Sequence, residues 1–169
     1  MTTRSAAAAW ESLFRVQVTL MRRFEAARDF APLTSREYDV LFNISRAPGG
    51  AARLRDLNEK SLLAQPSLSR MVDRLAAEGL VERREAHDDG RGVVVALTGD
   101  GAALQRSIGL RHVRSISASI DHVLDADEQA TLAALCDRLR VAAPAAGPVP
   151  ADRPATSPTN AKGRPSPRP

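Results

Sequence analysis

Between residues 65 and 98 the spacing of apolar side chains changes period twice, and this constrains the fold more than any other feature of the chain. Leu68, Met71, Val72, Leu75 and Ala76 recur in the steps of three and four that give one face of a helix. Pro66 suits the first turn of that helix, and Gly79 suits its C-terminal stop. The spacing then shortens. Leu80-Val-Glu-Arg-Arg84 reads as a strand, His87-Asp-Asp-Gly-Arg-Gly92 as a turn, and Val93-Val-Val-Ala-Leu97 as the returning strand. Thr98 is placed to cap a long helix whose stripe is Leu104, Ile108, Val113, Ile116, Ile120 and Val123. The expected class is therefore mainly α with a small β-hairpin.

The flanks add helices. Trp10, Leu13, Phe14, Val18, Met21, Phe24 and Ala27 form a helical stripe over 7–30, which Pro32 ends. Thr34-Ser-Arg-Glu37 is a capping box, so a second helix starts there and runs to Pro48-Gly49-Gly50. Leu54, Leu57 and Leu62 point to a short helix near 55–61. Asp125-Ala-Asp-Glu128 offers another capping arrangement, with Asp in place of Ser or Thr. Leu132, Leu135, Cys136 and Leu139 then share one face.

A chain of 169 residues has room for one domain and a tail. The tail is expected at 142–169, where eight of the eleven prolines fall and large apolar residues are almost missing. Such a stretch buries too little to offset its chain entropy, so it is expected to be disordered. No apolar run approaches the roughly 20 residues of a membrane span, and no secretory signal is visible, so no membrane contact and a cytoplasmic location are expected. The single Cys136 leaves no intrachain disulfide or Cys-rich zinc site. His87, His112 and His122 lack ligand spacing, and no phosphate loop, nucleophile elbow or paired-carboxylate motif is present. No catalytic residue, metal or cofactor is therefore expected, and an enzyme is not. Among 24 basic residues only Lys60 and Lys162 are lysines. Arginine suits flat bidentate contacts with phosphate and guanine, although an arginine-rich genome gives the same bias.

The element order is helix, helix, short helix, helix, hairpin, long helix, helix. Its middle is a winged helix-turn-helix, in which the second of two helices meets a major groove and the hairpin reaches the adjacent minor groove. Here Ser67-Leu-Ser-Arg-Met-Val-Asp-Arg-Leu75, Glu78-Gly-Leu-Val-Glu-Arg83, Asp89-Gly-Arg91, and Leu97-Thr98 with Gly101 follow in order. Leu33-Thr34 and Tyr38-Asp-Val-Leu41 precede them. In this order and spacing the chain resembles the MarR family of bacterial transcriptional regulators over about residues 8–141. The resemblance implies a MarR-like domain at 7–141, with a DNA-binding lobe at about 34–98 and dimerisation helices at about 7–30 and 99–141. Ala64 departs from the pattern, since relatives often place a capping serine there; losing such a cap costs roughly 1 kcal/mol.

With Leu68, Val72 and Leu75 inward, the outer face of 65–78 presents Gln65, Ser67, Ser69, Arg70, Asp73 and Arg74. Gln65, Ser67, Ser69, Arg70 and Arg74 are the candidate contacts to double-stranded DNA. Short hydroxyls permit close approach, and arginines grip guanine or phosphate. Arg84 and Arg83 are candidates for wing or phosphate contacts, or partners of Glu82 or Glu85. The resemblance implies that Arg91 enters the minor groove and that Asp89 orients the wing. The three long stripes exceed what the small lobe can cover. The resemblance implies a two-fold homodimer, two recognition helices on a palindrome, and repression relieved by a small aromatic or anionic effector. Trp10, Phe14, Tyr38, Asp39 and His112 are its candidate lining, though Trp10 and Phe14 also read as plain packing. The alternative is a winged-helix protein-interaction module without specific DNA binding.

Overall fold

A computed structural model of the protein describes residues 3–60, 65–85 and 92–142. Helices α1 (Thr3–Ala26) and α2 (Ser35–Ser45) lead through a short 3-10 turn (Pro48–Gly50) into strand β1 (Ala51–Arg53). Helices α3 (Leu54–Lys60) and α4 (Gln65–Ala77), strands β2 (Val81–Glu85) and β3 (Val93–Leu97), and helices α5 (Gly99–Ile120) and α6 (Ala126–Ala142) follow. The expected turn at 87–92 lies almost wholly outside the described residues, as do Ala64 and the expected tail beyond Ala142.

Local chemistry sets the boundaries. At α2 the Thr34 hydroxyl accepts from the Glu37 backbone N–H, and the Glu37 carboxylate accepts from the Thr34 backbone N–H at 2.7 Å. That reciprocal pair is the expected capping box. Asp125 and Glu128 make the same exchange ahead of α6. Helix α4 ends in a Schellman turn. Gly79 takes φ 72°, Leu80 N–H returns to the Leu75 carbonyl, and Gly79 N–H returns to Ala76. Thr98 caps α5 through Gly101 N–H at 3.0 Å, and its own hydroxyl donates to the Gly79 carbonyl at 2.7 Å. The exit of α4 and the start of α5 are thereby joined. A Cβ on Gly101 would overlap the Leu80 carbonyl oxygen, so this approach needs glycine.

Three boundaries differ from the expectation. Helix α1 ends at Ala26 rather than near residue 30. Its exit is another Schellman turn, with Arg28 rather than glycine in the left-handed region at φ 56°. Helix α5 stops at Ile120, and Asp121–Leu124 turn toward α6. The hairpin gains a third strand: β1 pairs antiparallel with β3, Ala51 opposite Ala96, giving the order β1-β3-β2. Ala-Ala-Arg is too short to show a period; it becomes a strand because β3 offers its second edge.

Two buried clusters result. The larger joins Val40, Leu41 and Ile44 of α2, Leu57 of α3, Leu68, Val72 and Leu75 of α4, and Val81 and Val95 of the sheet. The smaller holds Phe24, Phe30, Tyr38 and Ile108, where α1, the following turn, α2 and α5 meet. The N-terminal half of α1 and the length of α6 bury little. Trp10, Phe14, Leu132, Leu135 and Leu139 all stand exposed in the single chain.

Candidate nucleic-acid interface

Helix α4 buries Leu68, Val72 and Leu75 and leaves Ser67, Arg70, Asp73, Arg74 and Ala77 outward. The helix is held on its sheet side by the Leu75–Leu80 turn and by packing on β2. Its outer face therefore cannot rotate inward without opening the larger core. Ser67 is exposed and Ser69 half-buried. Gln65 opens the helix, but its side chain lies outside the described residues, as do Asp89 and Arg91.

The arginines of α4 and β2 divide into two kinds. Arg83 is paired with Asp73, and Arg84 with Glu82 along the strand. The guanidinium of Arg74 donates to Glu37 of α2 at 2.5 Å. Arg70 has no polar partner among the described residues. The site-forming arginines suggested by the sequence are thus not equivalent: among the described residues Arg70 has no polar partner, while Arg74 and Arg84 are already engaged.

Glu37 joins several of these features. Its carboxylate accepts from the Thr34 backbone, the Thr34 hydroxyl and Arg74, and the residue is buried. Burial opposes its ionisation, but the bonds from Thr34 and the bond and charge of Arg74 outweigh it. The net effect holds its pKa below the ordinary glutamate value.

The residues suggested as effector lining fall in three places. Tyr38 and His112 meet, with ring centroids 6.2 Å apart, inside the smaller cluster. His112 also packs edge-on against Phe24 and tilted against Phe30. Its Nδ1 lies 3.1 Å from the carboxylate of Asp29, which also accepts from the Ser115 hydroxyl at 2.8 Å. Burial lifts the Tyr38 hydroxyl above its ordinary value; the Gln105 side chain opposes the rise and the charge of Asp39 adds to it. Asp39 lies one residue on, facing away, with Asn43 as its partner. Burial also raises its carboxyl, against the bond from Asn43. Trp10 and Phe14 stack on each other at 6.1 Å on the exposed half of α1 and do not reach this group.

Comparison with known proteins agrees with this architecture. Residues 31–92 match the sequence model of the MarR family. The multiple antibiotic resistance protein MarR of Salmonella typhimurium is 34% identical over 107 residues, covering 63% of this chain and 73% of that protein. The chain belongs to the MarR family. Among solved structures, AbsC, a MarR family transcriptional regulator from Streptomyces coelicolor, aligns with a TM-score of 0.69 at 26% identity, over 83% of this chain and 98% of that one. NadR in complex with 4-hydroxyphenylacetate aligns with a TM-score of 0.66 at 26% identity, over 76% and 89% of the two chains.

In this MarR family regulator, sequence reasoning missed Asp29, Arg111 and Ser115. Arg111 donates to the backbone carbonyls of Asp29 and Ala31, so α5 grips the α1–α2 corner through three neighbouring residues. The signal was weak: Asp29 is the one carboxylate between the helix exit and Pro32, but Arg111, His112 and Ser115 sit among many other polar residues of α5. The role of Glu37 beyond its cap was also missed, because its partner Arg74 lies 37 residues away.

Proposed function

We propose that this DNA-binding transcriptional regulator acts as a homodimer that represses from a palindromic operator, with release by a small aromatic or anionic effector. The observation that carries it is the outer face of α4. That face presents Ser67, Ser69 and Arg70, which has no polar partner among the described residues, from a helix locked onto the lobe's core. Arginine and short hydroxyls are the side chains that read base edges and phosphates in a major groove. The exposed apolar faces of α1, α5 and α6 support a second copy, because a lone chain leaves Trp10 66% and Leu139 62% exposed. Two-fold symmetry then pairs two α4 helices with two half-sites one helical turn apart.

Effector control is supported by the ligand-bound relative NadR and by the aromatic junction at Tyr38 and His112. Any effector acts only through different affinity for the DNA-competent and released forms. The role is one of binding, without a catalytic step, in the cytoplasm where a bacterial chromosome lies. Asp89 and Arg91 complete the reading as the wing's minor-groove contacts, and Arg84 as a wing residue that exchanges Glu82 for phosphate.

The test is retention of fragmented genomic DNA by the full chain across a salt series, followed by sequencing. Enrichment of a short palindrome that survives physiological salt is the expected result. Retention that vanishes evenly with salt means phosphate attraction alone and overturns specific recognition in favour of a protein-interaction module.

A further inference from the structure

Arg70 and Arg74 stand one turn apart on the same face of α4, so sequence alone gives both to DNA. Their surroundings differ. Arg70 has no polar partner among the described residues, whereas Arg74 is drawn sideways to Glu37 at the start of α2. The Glu37 side chain is only 10% exposed, and Arg74 is its only cationic partner among the described residues. Moving Arg74 to a phosphate would strip a mostly buried carboxylate of its cation, a loss that moving Arg70 does not incur. The neighbouring Asp73 is pulled the other way, by Arg83 of β2. Residues 73 and 74 stand about 100° apart around a helix. One tether to α2 and one to β2 therefore fix the rotation of α4 about its own axis.

We infer that Arg74 is a positioning residue: held by Glu37, it sets the rotation of α4 and so aims Arg70 and the serine face, and it does not itself meet DNA. This rests on the reading of α4 as the DNA-contacting helix. The Glu37 carboxylate also closes the α2 cap, so one group ties the recognition helix to the lobe's first helix.

Glu37→Gln separates the two roles. Glutamine still completes a capping box, but its neutral side chain weakens the tether. The probe is a fluorescent duplex carrying the palindrome enriched from genomic DNA, titrated with full-length wild type, Arg70→Ala, Arg74→Ala, Glu37→Gln and the Glu37→Gln/Arg74→Ala double variant at several salt concentrations. Arg74→Ala and Glu37→Gln are each expected to lower affinity about tenfold, with the double variant no worse than either single one. The slope of log affinity against log salt stays at the wild-type value in Arg74→Ala. A phosphate contact would instead reduce it by about one per subunit. A reduced slope in Arg74→Ala, or undiminished affinity in Glu37→Gln, overturns the inference.

Amide hydrogen exchange gives a readout that needs no DNA. In Glu37→Gln the α4 amides are expected to exchange about fivefold faster while those at the start of α2 keep their protection. Unchanged α4 exchange overturns the tether. If the wild type prefers no duplex while exchange responds as expected, the DNA reading fails and the tether stands.

Discussion

The α2–α4 lobe and the helices that flank it are built from the same side chains, yet the lobe closes a full core within one chain while the flanking helices close only the small cluster at Phe24, Phe30, Tyr38 and Ile108. Leu41, Ile44, Leu68, Val72, Leu75 and Val95 are completely buried. Trp10, Phe14, Leu132, Leu135 and Leu139 carry equally apolar stripes and stand exposed. In the lobe three helices and a three-stranded sheet approach from different directions and enclose their apolar faces. Helices α1 and α6 each offer one stripe; α1 buries only its C-terminal end, against Ile108 and Tyr38. A helical stripe specifies that a partner exists, not which chain supplies it.

The comparison breaks most visibly at α6. Placing two charges there by Leu135→Arg/Leu139→Arg buries unpaired cations in a dimer and costs more than about 4 kcal/mol. The dimer dissociation constant should rise at least about a thousandfold. Sedimentation at micromolar concentration checks this, with dispersed amide signals from the lobe reporting that its own core persists. An unchanged dimer would show that α6 is not part of the interface.

Leu68→Ala acts on the closed side. It removes a completely buried side chain facing α2 and the sheet. The expected loss is about 2–5 kcal/mol, read as a lower denaturation midpoint for the lobe. Gly101→Ala should be next, at about 1–3 kcal/mol. Its Cβ meets a backbone oxygen that Thr98 and the Schellman turn hold in place, so the chain must shift. Thermal melts of both variants at two protein concentrations sharpen the contrast, because a folded state that needs two copies melts higher when concentrated.

How legible each part was in the sequence follows from the range of the forces involved. The capping boxes at Thr34 and Asp125, the stop at Gly79 and the α4 stripe are local, and each stands where its residues predict. Strand β1 was illegible because three residues carry no period and their partner is 45 positions away at Ala96. The end of α1 misled because Ala27 continues the stripe, while Arg28 takes a conformation usually left to glycine. In the site, residue types marked the outer face of α4, but nothing local distinguishes Arg70 from Arg74. Only the fold brings Glu37 to one of them. The aromatic junction was half legible: Tyr38 and His112 meet, and Trp10 and Phe14 remain on the face awaiting a partner.

The smallest effect concerns acid, and it tests whether the lobe's polar tether behaves as part of its core. Glu37 has its pKa lowered in the folded state, burial being outweighed by Thr34 and Arg74. A carboxyl with a depressed folded pKa adds stability that is complete above the unfolded value, near pH 4 to 5, and is lost as the pH falls through the folded value. Glutamine does not titrate, so Glu37→Gln should be less stable than wild type at pH 7 and should lose less on going below about pH 4. The difference should stay under about 1 kcal/mol, because the Arg74 side chain is 55% exposed and solvent screens the pair. Urea midpoints of both proteins from pH 7 to pH 3 decide it. Parallel curves would mean that the Glu37 charge contributes nothing, leaving the packing of Leu68, Val72 and Leu75, the Leu75–Leu80 turn and the Asp73–Arg83 pair to hold α4.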